Sequence, residues 1–213
     1  MTYDELYRNN ENYFSAEPVK LLRDYWSLID KSKPVLDIGA GQGRNTIFLA
    51  RQGLEVHAID PSKVAVETIA QVASDEDLRV ITGHCGFEEF EPETPGYSGI
   101  LLFGLIQILS WAQIETLMAR INAWTDKNSL VLISAWSVND PSYPRVSHDW
   151  EKCGKNSFKK EDGQFRTYLE PDEILTLFHN FEVVHHWEGL GPWHSHGDRP
   201  PERHSRVAAV LKR

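Results

Sequence analysis

Apolar residues fall along this chain in two rhythms. Short runs at Val35-Leu36-Asp37-Ile38, 55–59, 78–82, 99–103, 129–134, 181–188 and 207–211 have the length and β-branched content of strands. Between them, apolar positions recur every third or fourth residue, the spacing of a helix with one buried face. Residues 4–14 predict a short helix and loop. Pro18 opens a helix whose stripe is Val19, Leu22, Tyr25, Trp26 and Ile29. A helix over 45–52 stops at Gly53, and Ser62 is placed to cap one over 63–73. The region 105–125 reads as helical with a break near Ser110, and a further helix follows Pro171 to about His179.

Strands alternate with helices until the end, where two strands adjoin. The first part predicts a parallel sheet with helices on both faces, and the last part an antiparallel pair at one edge. The pattern weakens over 137–166, which reads as an insertion or lid. A single domain is expected over 1–213. Its parts are an N-terminal helical lid (1–33), a core (34–136), the insertion (137–166) and a C-terminal helix and hairpin (167–213).

A length of 213 residues and a hydrophobic share of 41% suit one α/β domain with a sizeable core. No run of 18 apolar residues predicts a membrane span. The acidic, polar start has no signal-peptide pattern. Two cysteines, Cys85 and Cys153, make a disulfide framework improbable, so a reducing, cytoplasmic setting is expected. A net charge of −9 argues against a nucleic-acid partner and toward a small-molecule substrate. A monomer or homodimer is expected.

The densest chemistry begins where the first strand runs into Gly39-Ala40-Gly41-Gln42-Gly43-Arg44-Asn45. Glycines there let backbone approach a ligand, and Asp60, closing the next strand 17 residues past Gly43, suits ribose hydroxyls. A dinucleotide fingerprint would put its last glycine at position 44, where Arg44 stands, and would gain nothing from Asp37 beside a pyrophosphate. S-adenosylmethionine carries an ammonium and a sulfonium instead, which a carboxylate near the loop complements. Asp37 also reads as a buried acid satisfied by loop amides, and the two roles are compatible. The cofactor candidates are therefore Asp37, Gly39, Ala40, Gly41, Gly43, Arg44, Asn45, Asp60 and Pro61. Beside them stand His84 and Cys85 after the third strand, facing the adenine, Phe103 after the fourth, and Tyr13 as part of an N-terminal cover. No Asp/Asn-Pro-Pro-Tyr run follows the fourth strand, which removes the best support for methylation of a DNA amino group.

A second constellation, His194, His196, Arg203, His204 and Arg206, lies between and on the last two strands. Histidine suits proton removal near neutral pH, and arginine an oxyanionic or carboxylate substrate. A competing reading gives His194, His196, His204 and Asp198 a zinc or iron ion, but H-x-H spacing is a weak signal, and no metal is assigned. His185 and His186 are strand neighbours, so they point to opposite faces.

These residues resemble the class I S-adenosylmethionine-dependent methyltransferases over about 34–134. The run from Val35 through Gly43-Arg44-Asn45 to Ala50, with Gly53 and Asp60, looks like the tellurite-resistance methyltransferase group. The resemblance implies a Rossmann-like three-layer sandwich with a seven-stranded, mostly parallel sheet, order 3-2-1-4-5-7-6, strand seven antiparallel. It implies S-adenosylmethionine as donor, with Asp37 and the glycine loop at the methionine end and Asp60 on the ribose. It places His194 and Arg206, with Arg203 as a further cation, at the catalytic site. The expected reaction is methyl transfer to a small acceptor such as the chalcogen oxyanions tellurite or selenite. A non-catalytic S-adenosylmethionine sensor, and less readily a nicotinamide oxidoreductase, are the alternatives.

Overall fold

The computed structural model of the chain describes residues 2–92, 96–195 and 200–213. Seven strands form one sheet: β1 (Val35–Ile38), β2 (Val56–Ile59), β3 (Val80–Gly83), β4 (Tyr97–Phe103), β5 (Thr125–Trp136), β9 (Glu182–Leu190) and β10 (Ser205–Lys212). Their order is β3-β2-β1-β4-β5-β10-β9. The first five pair in parallel, and β10 runs antiparallel to both β5 and β9. This is the predicted order, with β9 and β10 as the sixth and seventh strands of the main sheet.

Period-two alternation sorts the strand residues onto two buried faces. Leu36, Ile38, Ile100, Leu102, Val131 and Ile133 point to one side, where α5 (Trp111–Trp124) packs through Ile114, Leu117 and Ile121. Val35, Leu101, Leu130 and Leu132 point to the other, against Leu22 of α2 (Lys20–Tyr25) and Leu49 of α3 (Arg44–Arg51). Helices on both faces follow from strands that are apolar on both sides. The break expected near Ser110 is a capping box, in which Ser110 and Gln113 bond each other's backbone N–H groups. Ser62 caps α4 (Lys63–Asp75) by accepting from the Ala65 N–H.

Three details differ from the pattern. The helix after Pro18 is one α-turn and a half followed by a 3-10 turn at Trp26–Leu28, and the helix after Pro171 is short, α7 (Glu173–Leu177). The 137–166 stretch is structured. It forms α6 (Tyr143–Asp149) and begins a three-stranded antiparallel sheet, β6 (Glu151–Gly154), β7 (Ser157–Lys159) and β8 (Phe165–Thr167). Strands of three or four residues show too few alternations to announce themselves, and their stability comes from Tyr143, Val146, Phe158 and Tyr168 packing together. At the N-terminus, α1 (Tyr3–Asn9) carries its own capping box from Thr2 and Glu5 and lies on α4 through Tyr7, Tyr13 and Ala65. No helix among the described residues is long and apolar enough to cross a membrane.

Candidate active site

The loops that leave the carboxyl ends of β1, β2 and β3 meet at the glycine turn. Gly39 and Ala40 both donate to the Ile59 carbonyl, at 2.9 and 3.1 Å, which draws the turn against the end of β2. Gly43 sits at φ +87° as the residue before α3, and a Cβ there would come within 2.5 Å of Ile69. Both the left-handed backbone and the contact with α4 therefore demand glycine. Having no side chain, Gly43 cannot cap the helix. Asp37 reaches the first turn from within β1: its carboxylate accepts from the Thr46 backbone N–H, and Oδ2 from the Thr46 hydroxyl at 2.7 Å.

Asp37 is 2% exposed. Burial drives its pKa up to about 6, the Thr46 hydroxyl bond opposing this, the nearby charge of Asp60 adding to it, and Arg44 pulling it back. Asp60 closes β2 and fastens the turn: Oδ2 accepts from Gly41 N–H at 2.9 Å and Oδ1 from Ser62 N–H at 2.8 Å. Burial also raises the Asp60 pKa, the two amide bonds restraining the rise. Pro61 accepts from or faces His84 through its carbonyl, 3.1 Å from Nε2, so the ends of β2 and β3 are tied together. His84 is exposed, and Cys85 is half-buried with its thiol pKa raised by burial and by Glu89. Phe103 packs with the α2/α3 side of the core rather than standing open.

The N-terminal segment clasps this turn. Gln42 donates to the Asn10 carbonyl at 2.8 Å and accepts from the Tyr13 N–H at 2.8 Å, while Arg44 donates to the Phe14 carbonyl. Asn45 accepts from the Val19 N–H at 3.0 Å. Tyr13 is thus a buried residue of the clasp, and Tyr7 is the aromatic over the loop, its hydroxyl 3.2 Å from where a Gly41 Cβ would stand. Burial, then the charge of Asp60, raises the Tyr7 pKa, so the hydroxyl stays protonated. Tyr3 joins Ile108, the β7–β8 turn residues Gly163 and Gln164, and Phe165 and Arg166 of β8 around a small cleft, so α1 and the insertion approach each other.

Of the second constellation, the structure brings His194, His204 and Arg206 together. His194 and Glu202 pair through reciprocal backbone bonds of 2.9 and 2.8 Å. The His194 and His204 rings lie 5.4 Å apart, and Arg206 Nη2 is 3.2 Å from His194 Nε2. His194 Nδ1 lies 3.2 Å from the Pro192 carbonyl, which only accepts, so Nδ1 carries the proton and Nε2 accepts from Arg206. Burial lowers the His194 pKa, the Pro192 bond resisting, and Arg206 and His204 lower it further. Arg206 is likewise depressed by burial, and its charge in turn depresses that of half-buried Arg44, after burial itself. The charge of Arg206 on the last strand is therefore felt at Arg44, at the end of the glycine turn.

Arg203 does not join them. It is exposed and lies over the Trp193 ring at 5.0 Å, on the outside of the hairpin. Its neighbour His204 faces inward instead, stacked 4.1 Å from Trp136 at 19°. His204 Nδ1 is 2.9 Å from Asp140 Oδ2, which also accepts from Ser205 N–H at 2.9 Å, while Oδ1 accepts from Ser142 N–H at 2.8 Å. Burial opposes ionisation of Asp140, but the bonds from His204 and Ser142 outweigh it and its pKa is lowered. Sequence reasoning missed Asp140, Tyr7, Gln42 and Thr46; an acid in Asn139-Asp140-Pro141, just past a strand's carboxyl end, was the one available signal. His185 contacts Tyr25 and His186 faces Asp172 and Glu188, on opposite faces as alternation requires. His196 and Asp198 lie outside the described residues.

Residues 35–128 match the family described as "Methyltransferase domain". The chain is 20% identical over 185 residues to the probable S-adenosyl-L-methionine-dependent methyltransferase TehB of Haemophilus influenzae, covering 84% of this chain and 61% of that protein. The crystal structure of TehB from Haemophilus influenzae superposes with a TM-score of 0.69 at 16% identity, over 91% of this chain and 61% of that one. A Burkholderia thailandensis 1,6-didemethyltoxoflavin-N1-methyltransferase, solved with bound 1,6-didemethyltoxoflavin and S-adenosylhomocysteine, gives a TM-score of 0.65 at 19% identity, over 91% and 78% of the two chains. This chain thus spans about three fifths of the length of TehB and shares its fold. The glycine turn and the sheet order agree with these matches: residues 35–128 match a methyltransferase domain, and the chain resembles S-adenosylmethionine-dependent methyltransferases of the tellurite-resistance group.

Proposed function

We propose that this chain transfers a methyl group from S-adenosylmethionine to a small, negatively charged acceptor, with a chalcogen oxyanion such as tellurite or selenite as the favoured class. The observation that carries the reading is a second guanidinium near the glycine turn: Arg44 and Arg206 are both half-buried, and after burial itself the charge of Arg206 lowers the Arg44 pKa. Like charges are held together in a partly desolvated place at a cost, and an anion between them offsets it.

The donor side fits the cofactor. A carboxylate with a pKa raised to about 6 by burial gains most from a neighbouring cation, and Asp37 would supply that charge to the methionine end. Asp60 would take the ribose hydroxyls with the lone pairs its amide bonds leave over. When bound, S-adenosylmethionine supplies an electrophilic methyl on a sulfonium. The chain's own work is then to bind, orient and exclude water. Arg206, steadied by neutral His194, would hold the acceptor's charge, and Tyr7 and Tyr3 would cover the crevice. A lone-pair nucleophile needs no proton removed, which suits a histidine whose Nε2 is already engaged.

Release of S-adenosylhomocysteine measured over tellurite, selenite, a small carboxylate and a neutral amine tests the proposal. Turnover with an anion and none with the amine is expected. Donor binding without turnover on any of the four would favour the sensor reading instead.

A further inference from the structure

We propose that His194, Glu202 and His204 form a binding site for one divalent transition cation, zinc by preference, at the rim of the acceptor side. One ligand-capable atom of each residue lies within 4.8 Å of the other two, and His204 Nε2 is 3.8 Å from Glu202 Oε1. In a tetrahedral site with bonds of about 2.0–2.1 Å, ligand atoms stand roughly 3.3 Å apart. The cluster therefore needs to close by at most about 1.5 Å, within the reach of side-chain rotation.

Three features separate this cluster from a chance meeting of polar residues. Both imidazoles give Nδ1 to an acceptor, His204 to Asp140 Oδ2 at 2.9 Å and His194 to the Pro192 carbonyl at 3.2 Å. That is the outer-shell arrangement of metal-bound histidines, and it leaves Nε2 of each ring as the atom turned toward a cation. The rings are also placed by more than those bonds. Trp136 stacks on His204, and the reciprocal backbone bonds of His194 and Glu202 set those two side by side. The donor set, two imidazoles and a carboxylate, suits zinc and leaves a fourth position open.

Arg206 is the competitor. Its Nη2 donates to His194 Nε2, so guanidinium and cation contend for one lone pair. Cation binding then releases Arg206 toward the acceptor. A second group, Asp172, His186 and Glu188, meets the same distance limit, but both ring nitrogens of His186 already face carboxylates on the exposed edge. It serves as the internal control. Use of the cation to hold the acceptor's anionic atom rests on the methyl-transfer reading; the binding itself does not.

The test is calorimetric titration of the chelator-treated full chain with zinc chloride, with a cobalt chloride absorption spectrum alongside. One zinc per chain is expected, with a visible cobalt band of tetrahedral intensity. Glu202→Gln, at a side chain 44% exposed and so harmless to packing, should weaken zinc at least tenfold, and His204→Gln at least a hundredfold. Arg206→Gln should tighten it, and His186→Ala should leave it unchanged. Absence of zinc binding, binding that survives Glu202→Gln and His204→Gln, or binding lost with His186→Ala overturns the proposal. None of these results touches donor binding, which titration with S-adenosylhomocysteine reads separately.

Discussion

The two halves of the crevice are built differently. On the donor side, nearly every contact is made by backbone or by an acid bonded to backbone: Gly41 and Ser62 amides on Asp60, and Gly39 and Ala40 on the Ile59 carbonyl. On the proposed acceptor side, side chains hold side chains: Arg206 on His194, His204 on Asp140, Trp136 under His204. A backbone cradle demands particular residues at particular turns, so it reads in sequence. A side-chain cluster is assembled from strands distant in the chain, so no local window shows it. The match to the methyltransferase-domain family follows that line, ending at residue 128 before any of the cluster.

If the cradle is as rigid as its contacts say, Gly43→Ala should show the largest loss. A positive-φ alanine and a clash with Ile69 together remove at least ~2 kcal/mol, or ~4 °C of melting temperature, and S-adenosylhomocysteine binding with it. Calorimetry and thermal unfolding check both. Arg206→Gln should instead separate the halves, lowering kcat/KM for an anionic acceptor about a hundredfold, the scale of one lost charge-stabilising group, with donor affinity near that of the parent. A parallel fall in donor affinity would mean the halves are not distinct.

Asp60→Ala removes the acceptor of two buried amides. About 2 kcal/mol is expected, roughly thirtyfold in donor affinity, and an unchanged dissociation constant would take Asp60 out of the site. The smallest effect is a pH dependence. Asp37 is raised to about 6 in the folded chain against about 3.9 when unfolded, so the folded state binds its proton more tightly. Its contribution to stability is full below pH ~4 and is lost as pH rises toward ~6. Donor affinity runs the other way, because the cation needs the carboxylate. It should fall about tenfold from pH 7 to pH 5, and Asp37→Asn should flatten that profile.

The same contrast explains what could be read in advance. Strands apolar on both faces, the glycine turn and the acid closing β2 are local patterns, and their order in the chain nearly dictates the sheet. Three residues of the cluster, His194, His204 and Arg206, were also visible, because they lie between or on the last two strands. Arg203 was not separable from Arg206 by chemistry; only its position opposite inward-facing His204, over Trp193, separates them. Asp140 reaches His204 across 64 residues, a pairing no local window contains. The insertion's sheet likewise rests on Tyr143, Phe158 and Tyr168 finding one another, not on the periodicity of three-residue strands.

Everything here depends on the turn after β1 being shaped for a sulfonium nucleoside rather than for a pyrophosphate. Titration of the full chain with S-adenosylhomocysteine and, separately, with NADH measures that directly. The account predicts one S-adenosylhomocysteine per chain with affinity lost in Asp60→Ala, and no heat from NADH. Saturable NADH binding with no response to S-adenosylhomocysteine would contradict it.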